Sequence, residues 1–159
     1  MRNPLTLIAT ITALIVGCDT ITAPGLDCTE IGCSSGLTLN FGASTPGLWT
    51  FEVDLVEDGA VTETIVCQST LPLSDTAAES CDNPSVFLFL SGSALPDEEH
   101  QITGMNLLDL TPEEVNIRVF LDDESILSES IFPTYESYSP NGEGCEPTCY
   151  SGEENITIE

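Results

Sequence analysis

The chain has 159 residues and a formal net charge of -25, because 27 Asp and Glu residues face only 2 Lys and Arg residues. Nucleic-acid backbones are bound mainly through Lys and Arg, so this composition excludes nucleic acid as a partner, and it excludes attachment to a membrane surface through a polybasic patch. Charged residues make up 18% and hydrophobic residues 41% of the chain. These fractions are ordinary for one folded domain and unlike those of a disordered acidic tail.

The first 17 residues have the pattern of a secretory signal peptide. Arg2 precedes an apolar run from Leu5 to Val16. As a helix this run would reach about 18 Å, which is too short to cross a hydrocarbon core of about 30 Å. Removal of the leader would leave Arg118 as the one Lys or Arg residue against 27 acids, a net charge of -26.

The end of the apolar run, Ile15-Val16-Gly17-Cys18, resembles the lipobox of bacterial lipoproteins. In that family the cysteine thiol receives a diacylglycerol, the leader is cut before it, and the new amino terminus is usually acylated. The resemblance implies removal of residues 1–17, lipidation of Cys18, and export to a bacterial cell envelope, where two or three acyl chains anchor stably. It leaves open whether the inner or the outer membrane holds the anchor. The alternative is an ordinary signal peptide with a chance cysteine at its end.

Seven cysteines are present, and lipidation of Cys18 would explain the odd number. The remaining even set suits disulfides in an oxidising compartment. A zinc site is disfavoured because there is no CxxC pair and His100 is the single histidine. We therefore predict three disulfides, formed by Cys28, Cys33, Cys67, Cys81, Cys145 and Cys149.

The spacing of these cysteines suggests a pairing. Cys67 and Cys81 are expected to close a local loop. The other four form two clusters, Cys28/Cys33 and Cys145/Cys149. Each cluster precedes an apolar-alternating run, 37–41 or 156–158, so two bridges between the clusters are preferred if those strands are neighbours. Each such bridge would contribute about 4–5 kcal/mol in the chain-entropy model. Closure of each cluster on itself remains the alternative.

Residues 18–27 contain Pro24-Gly25 and are interpreted as a tether between the lipid and a single domain over residues 28–159. In this domain apolar and polar residues alternate with period two, as expected for strands with one face in water. The strands are predicted at Leu37–Phe41, Trp49–Leu55, Val61–Cys67, Val86–Leu90, Ile102–Leu110, Val115–Leu121, Ile126–Phe132 and Asn155–Glu159.

These segments predict an all-β fold, an immunoglobulin-like β-sandwich of about seven or eight short strands pinned by disulfides. The first and last strands are expected to run side by side. The uninterrupted apolar run Val86–Leu90 predicts a strand that is central or buried on both faces. Ile102–Leu110 is a less regular segment, and Pro133–Gly144 is expected to be a loop.

The sequence assigns no catalytic residue, cofactor or metal ligand. His100 follows three acids and is expected to be exposed in a polar loop, and neither a Gly-x-Ser-x-Gly elbow nor a phosphate loop is present. The acidic runs Asp97-Glu98-Glu99 and Asp122-Asp123-Glu124 offer hard oxygen ligands, so a calcium-binding envelope domain is one alternative, although no EF-hand loop occurs. A small carboxylate-dependent hydrolase is a weaker alternative.

Several segments are similar to a set of uncharacterised bacterial secreted lipoproteins that contain disulfides. The similar segments are Ile31–Leu37, Val115–Asp123, Phe132–Tyr135 and Pro140–Cys149. This resemblance implies export and the fold, but no activity. The leading hypothesis is a non-enzymatic, lipid-anchored binding or structural module of the cell envelope, with an envelope protein or polysaccharide as its partner.

Overall fold

The computed structural model describes residues 28–74 and 80–158, and their regular structure is β-strand except for one 3-10 turn at Asp97–Glu99. One five-stranded sheet, sheet A, has the order β5-β6-β1-β10-β9, and the other, sheet B, has the order β4-β3-β2-β7-β8. The strands are β1 Gly36–Ala43, β2 Gly47–Glu57, β3 Ala60–Leu71, β4 Ser80–Cys81, β5 Val86–Ser91, β6 Gln101–Leu108, β7 Glu114–Leu121, β8 Glu124–Ile131, β9 Tyr135–Tyr138 and β10 Cys149–Asn155.

The core lies between the two sheets and is filled by alternate residues of their strands. Phe41 of sheet A stacks on Phe51 of sheet B with 5.0 Å between ring centroids, and Trp49 lies 6.2 Å from Phe51. Burial of each such side chain contributes about 1.5–3 kcal/mol. The largest fully buried side chains are Phe51, Leu37, Leu39, Ile65, Ile102, Met105, Leu107, Ile117, Val53, Val115 and Val119.

The strand order is that of an immunoglobulin variable-type sandwich, in which A, B, E and D form one sheet and C″, C′, C, F and G the other. If β1 is strand B, then β2 to β8 correspond in chain order to C, C′, C″, D, E, F and G, and both sheets match. The position of strand A is occupied by β10, which pairs with β1 in parallel. The predicted β-sandwich is therefore confirmed, with ten strands in the described residues instead of seven or eight.

Three disulfides connect the sandwich as the sequence suggested. Cys67 bonds to Cys81 directly across the β3–β4 pair. The two clusters bridge twice instead of closing on themselves, through Cys28–Cys145 and Cys33–Cys149. Both long-range bridges lie where β1 and β10 begin, because parallel strands start at the same edge of a sheet.

Two hairpins turn through aspartates with positive φ. Asp58 (φ 52) and Gly59 (φ 73) connect β2 to β3, and Asp122 (φ 50) and Asp123 (φ 68) connect β7 to β8. Two-residue turns with positive φ at both positions match the twist of the flanking strands, and Asp and Gly tolerate this conformation. The sequence between β2 and β3, Asp58-Gly59, therefore suits this type of turn.

The expectation that Val86–Leu90 is central or buried on both faces is wrong, since β5 lies at an edge of sheet A. Its residues Phe87 and Phe89 lie on the outer face, partly exposed, with ring centroids 5.6 Å apart. The Phe89 ring covers Gly104 of the neighbouring β6, where an added Cβ would lie 3.2 Å from Phe89 and 2.5 Å from the Leu39 carbonyl oxygen. The apolar run therefore reflects an aromatic side chain that covers a strand glycine.

The C-terminal strand was expected at Asn155–Glu159, but β10 ends at Asn155. Ile156 follows it, is buried, and donates its backbone N–H to the Asn40 carbonyl at 2.8 Å. The predicted loop after Pro133 contains β9, which pairs with β10. Both strands have polar sequences, so tertiary pairing outweighs their local propensity.

The connections between strands lie at two opposite ends of the sandwich, and these two ends differ. The disulfide end consists of residues 28–35, 58–59, 109–113, 132–134 and 139–148. The loop end, opposite to it, consists of residues 44–46, 72–74, 92–100 and 122–123.

In the part of the chain that the structure describes, no helix has the length and apolar character needed to cross a membrane.

Candidate functional site at the loop end

The loop end corresponds to the end of a variable domain at which the antigen-binding loops lie. By the strand correspondence above, residues 44–46 are the B–C loop, the segment that begins at residue 72 is the C′–C″ loop, and residues 122–123 are the F–G turn. The D–E loop, residues 92–100, lies beside them. The order of the strands therefore places these four loops at the end of the sandwich opposite Cys28.

His100 links two of these loops, and the expectation that it is exposed is wrong because only 4% of its surface is accessible. Its Nδ1 accepts the backbone N–H of Leu73 at 2.9 Å, and its Nε2 lies 3.0 Å from the carbonyl oxygen of Leu95. Because Nδ1 accepts the Leu73 N–H, the ring proton lies on Nε2, which donates to the Leu95 carbonyl. Both ring nitrogens are thus used to hold loop backbone.

The other two loops are fixed by further side chains. The indole N–H of Trp49, which is buried, donates to the Thr45 carbonyl at 2.8 Å. Asp122 Oδ1 accepts the Leu48 N–H at 2.8 Å, and the Asp122 N–H donates to the Leu48 carbonyl at 2.9 Å. Loops held in this way lose less conformational entropy when they bind a partner.

The acidic runs at this end were the candidate calcium ligands. Among the described residues, no group of three His, Cys, Asp or Glu side chains is arranged to hold a metal ion. Asp122 and Asp123 form the β7–β8 turn, and Asp122 also clamps Leu48. The presence of Asp122 and Asp123 is thus explained by the turn geometry and by the contact with the Leu48 backbone. Asp97–Glu99 form an exposed 3-10 turn.

Arg118 lies away from the loop end, on the outer face of sheet B. Its Nε donates to Glu52 and its Nη1 to Asp54, both at 2.9 Å, and these bonds, that to Glu52 above all, raise the pKa of the guanidinium. Asp54 also accepts the Thr64 hydroxyl at 2.6 Å. That hydrogen bond, together with Arg118, lowers the pKa of the Asp54 carboxyl although burial opposes the change. The Arg118 guanidinium therefore forms ion pairs with two acids of its own sheet, Glu52 and Asp54.

A groove of about 450 Å³ crosses the outer face of sheet A at β1, β9 and β10. Three of its lining residues are carboxylates, Glu136, Glu153 and Glu154, and Glu154 accepts the Thr134 N–H at 3.2 Å. His100 is not part of this groove. The groove therefore contains carboxylates and hydroxyls without the imidazole that acid–base chemistry most often uses.

The disulfide end is held by hydrogen bonds as well as by bridges. The buried Asn141 accepts from the Thr29 hydroxyl (2.7 Å) and the Ile31 N–H (2.8 Å), and it donates to the carbonyls of Ile31 (3.0 Å) and Glu146 (2.7 Å). All four bonds of one amide are satisfied. The predicted lipidation residue Cys18 lies outside the described residues, before this end.

A scan against family models, a search of curated proteins and a search of solved structures find no match to this chain.

Of the residues that organise the two ends, sequence reasoning identified the cysteines and the acidic turns. It missed Asn141, Trp49 and the role of His100. Asn141 lies in the segment expected to be a loop, but no sequence signal linked it to Ile31, which lies 110 positions away. His100 offered only the ambiguous pattern of a histidine beside acids.

Proposed function

We propose that this protein is a lipid-anchored module of a bacterial cell envelope whose loop end binds an envelope protein or polysaccharide. The observation that carries the proposal is the position of Cys28 and the loop end at opposite ends of the sandwich. A lipid on Cys18 would hold the disulfide end near the membrane. The four loops would then face away from the membrane, toward other envelope components.

The state of the loop end supports a role in binding. Its backbone is fixed by Trp49, His100 and Asp122. Leu95 is 53% exposed in the middle of the D–E loop, where it offers apolar area for a partner. Three acids, Asp97 to Glu99, follow it in the same loop, and the chain has almost no cations. A neutral or basic surface therefore fits this end better than an anionic one.

The anchor is tested by the mass of the N-terminal peptide from membrane-purified protein. We expect a peptide that begins at Cys18 and carries acyl chains, and we expect Cys18→Ser to abolish both the acylation and the membrane retention. An unacylated peptide that begins elsewhere would refute the anchor.

Binding is tested by cross-linking in intact envelopes followed by capture of the protein. Leu95→Ser changes an exposed leucine of the loop end, and Val61→Ser changes a residue of similar exposure, 56%, at the opposite end. We expect Leu95→Ser to lower the yield of the captured partner at least about threefold, about 0.65 kcal/mol, and Val61→Ser to leave it unchanged. Equal capture by both variants and the wild type would refute binding through the loop end.

A further inference from the structure

Exposed apolar side chains are unevenly distributed between the two ends. Eight large hydrophobic residues are exposed among those that the structure describes. Two of them, Leu48 and Leu95, lie at or beside the loop end. The other six lie at or beside the disulfide end: Ile31, Val61, Leu108, Phe132, Tyr138 and Tyr150.

Three of these six residues are held firmly where the chain emerges toward its N-terminus. Asn141 binds both the N–H and the carbonyl of Ile31. The Tyr138 hydroxyl donates to the Ser34 carbonyl at 3.1 Å, and the Tyr150 N–H donates to the Ser35 hydroxyl at 3.1 Å. Ile31, Tyr138 and Tyr150 are therefore ordered residues that remain exposed at or beside this end.

The length of the preceding chain determines what lies near this surface. If Cys18 carries the lipid, residues 19–27 separate the anchor from the domain. A fully extended segment of this length spans about 30 Å. The tether thus confines the disulfide end to the region next to the bilayer, where the effective concentration of lipid is high.

We propose that the disulfide end of the sandwich lies against the lipid surface that holds the anchor, with Ile31, Tyr138 and Tyr150 in the headgroup region. This inference rests on the proposed function, since it requires the lipid on Cys18. Tyrosine suits the membrane interface because its ring is apolar and its hydroxyl is polar. The contact fixes the orientation of the domain, so that the loop end points away from the bilayer.

The charge of the chain determines which lipid surface this end accepts. Glu30, Glu143 and Glu146 lie at the same end, and the surplus of carboxylates extends over the whole molecule. An anionic leaflet would repel them across a distance of about 8 Å at physiological salt. The occupant is therefore a bilayer surface with zwitterionic or neutral headgroups.

The test is hydroxyl-radical labelling of the full-length lipidated protein in phosphatidylcholine vesicles, read by mass spectrometry. Ile31 and Leu95 form a matched pair because they are 54% and 53% exposed. After correction for the intrinsic reactivity of each side chain, we expect Ile31, Tyr138 and Tyr150 to be labelled at least about threefold less than their exposure predicts, about 0.65 kcal/mol. Leu95 should be labelled fully.

Equal labelling of Ile31 and Leu95 on acylated protein would overturn this inference and leave the anchor standing. A mass without acyl chains would refute the anchor and the inference together, so the two failures are distinguishable. In phosphatidylglycerol vesicles we expect the protection of Ile31 to disappear. Protection that is equally strong there would overturn the assignment to an uncharged lipid surface.

Discussion

Asn141 and His100 are polar residues in buried positions, and each satisfies its hydrogen-bonding groups with the backbone of other segments. A buried polar group without partners costs about 1–3 kcal/mol. Both residues avoid this cost because their side chains bind the backbone of segments that they connect. Their partners are distant in sequence or lie across a loop. This explains why the residue types were visible in the sequence and their roles were not.

The amide of Asn141 provides the first prediction. Asn141→Ala would leave the N–H of Ile31 and two carbonyls without their present partner, so we expect the free energy of unfolding to fall by about 1–3 kcal/mol. Urea denaturation measures this loss. Asn155→Ala, an exposed asparagine of β10, is the control and should change stability by less than about 0.5 kcal/mol. Equal effects of the two variants would contradict the role assigned to Asn141.

The hydrogen bond between Thr64 and Asp54 predicts a dependence of stability on pH. The pKa of Asp54 is lowered from its ordinary value of 3.8, chiefly by this bond. The carboxylate therefore stabilises the fold above pH 3.8, and its contribution is lost as the pH falls through the lower folded value. We expect Thr64→Val to reduce the free energy of unfolding by about 1.5 kcal/mol at neutral pH.

The difference between Thr64→Val and the wild type should shrink as the pH falls below 3.8, because the wild type then loses the same contribution. Thr70→Val serves as the control, since Thr70 is an exposed residue of the same strand and makes no side-chain hydrogen bond among the described residues. A difference that is constant between pH 7 and acid would show that Asp54 is not the group concerned.

At the scale of strands, period-two alternation located most of the sheet correctly. It was less reliable where the alternation of buried and exposed residues is interrupted. In β6, register shifts near Asn40 and Phe89 interrupt the alternation, so this eight-residue strand looked irregular in the sequence. In β10 the paired residues are mostly polar, and a Cβ at Gly152 would lie 3.0 Å from side-chain atoms of both Leu37 and Tyr135, so a larger residue would crowd them. Such strands depend on their neighbours, which a single sequence does not reveal.

The β9–β10 pair predicts an alkaline transition through Tyr135. Burial, and to a lesser extent Glu154, raises the pKa of Tyr135 to about 12 from an ordinary 10.0. The neutral phenol is thus favoured in the folded chain, and its stabilising contribution is complete below pH 10 and lost as the pH rises toward 12. The hydroxyl also donates to the Pro112 carbonyl at 2.9 Å.

Ultraviolet titration of tyrosinate measures this transition, because the chain has only three tyrosines. We expect a late phase of the absorbance change, at high pH, that belongs to Tyr135, and Tyr135→Phe should remove that phase. Tyr138→Phe, which also deletes a hydroxyl that donates to a carbonyl, should leave the late phase in place. A late phase that survives in Tyr135→Phe would refute the assignment.

At the scale of the whole molecule, the two long-range disulfides interleave along the chain, since each bridge has one end inside the loop that the other closes. Cys28–Cys145 and Cys33–Cys149 join positions 117 and 116 residues apart. Once one bridge is closed, the other closes only the small ring formed by residues 28–33 and 145–149. In the chain-entropy model a small ring of this kind contributes about 3 kcal/mol and the large loop about 5 kcal/mol.

Removal of these two bridges is therefore expected to be non-additive. Replacing either cysteine pair with alanine should lower the free energy of unfolding by about 3 kcal/mol, and replacing both pairs should lower it by about 8 kcal/mol. Loss of the local Cys67–Cys81 bridge, with a separation of 14, should cost about 3 kcal/mol and should add independently. Denaturant unfolding of the four variants checks this order, and additive losses for the two long-range bridges would contradict it.

The parallel pairing of β1 with β10 also determines when the fold can be completed. A chain delivered N-terminus first presents β1 early, but the strand that covers its open side is the last to arrive. Cys28 and Cys33 are meanwhile close in sequence, so a bond between them would be non-native and thiol–disulfide exchange would have to undo it. Contacts between residues this far apart also slow folding. The sandwich therefore closes only after residues 149–155 have emerged, and its two long-range bridges cannot form before Cys145 and Cys149 are present.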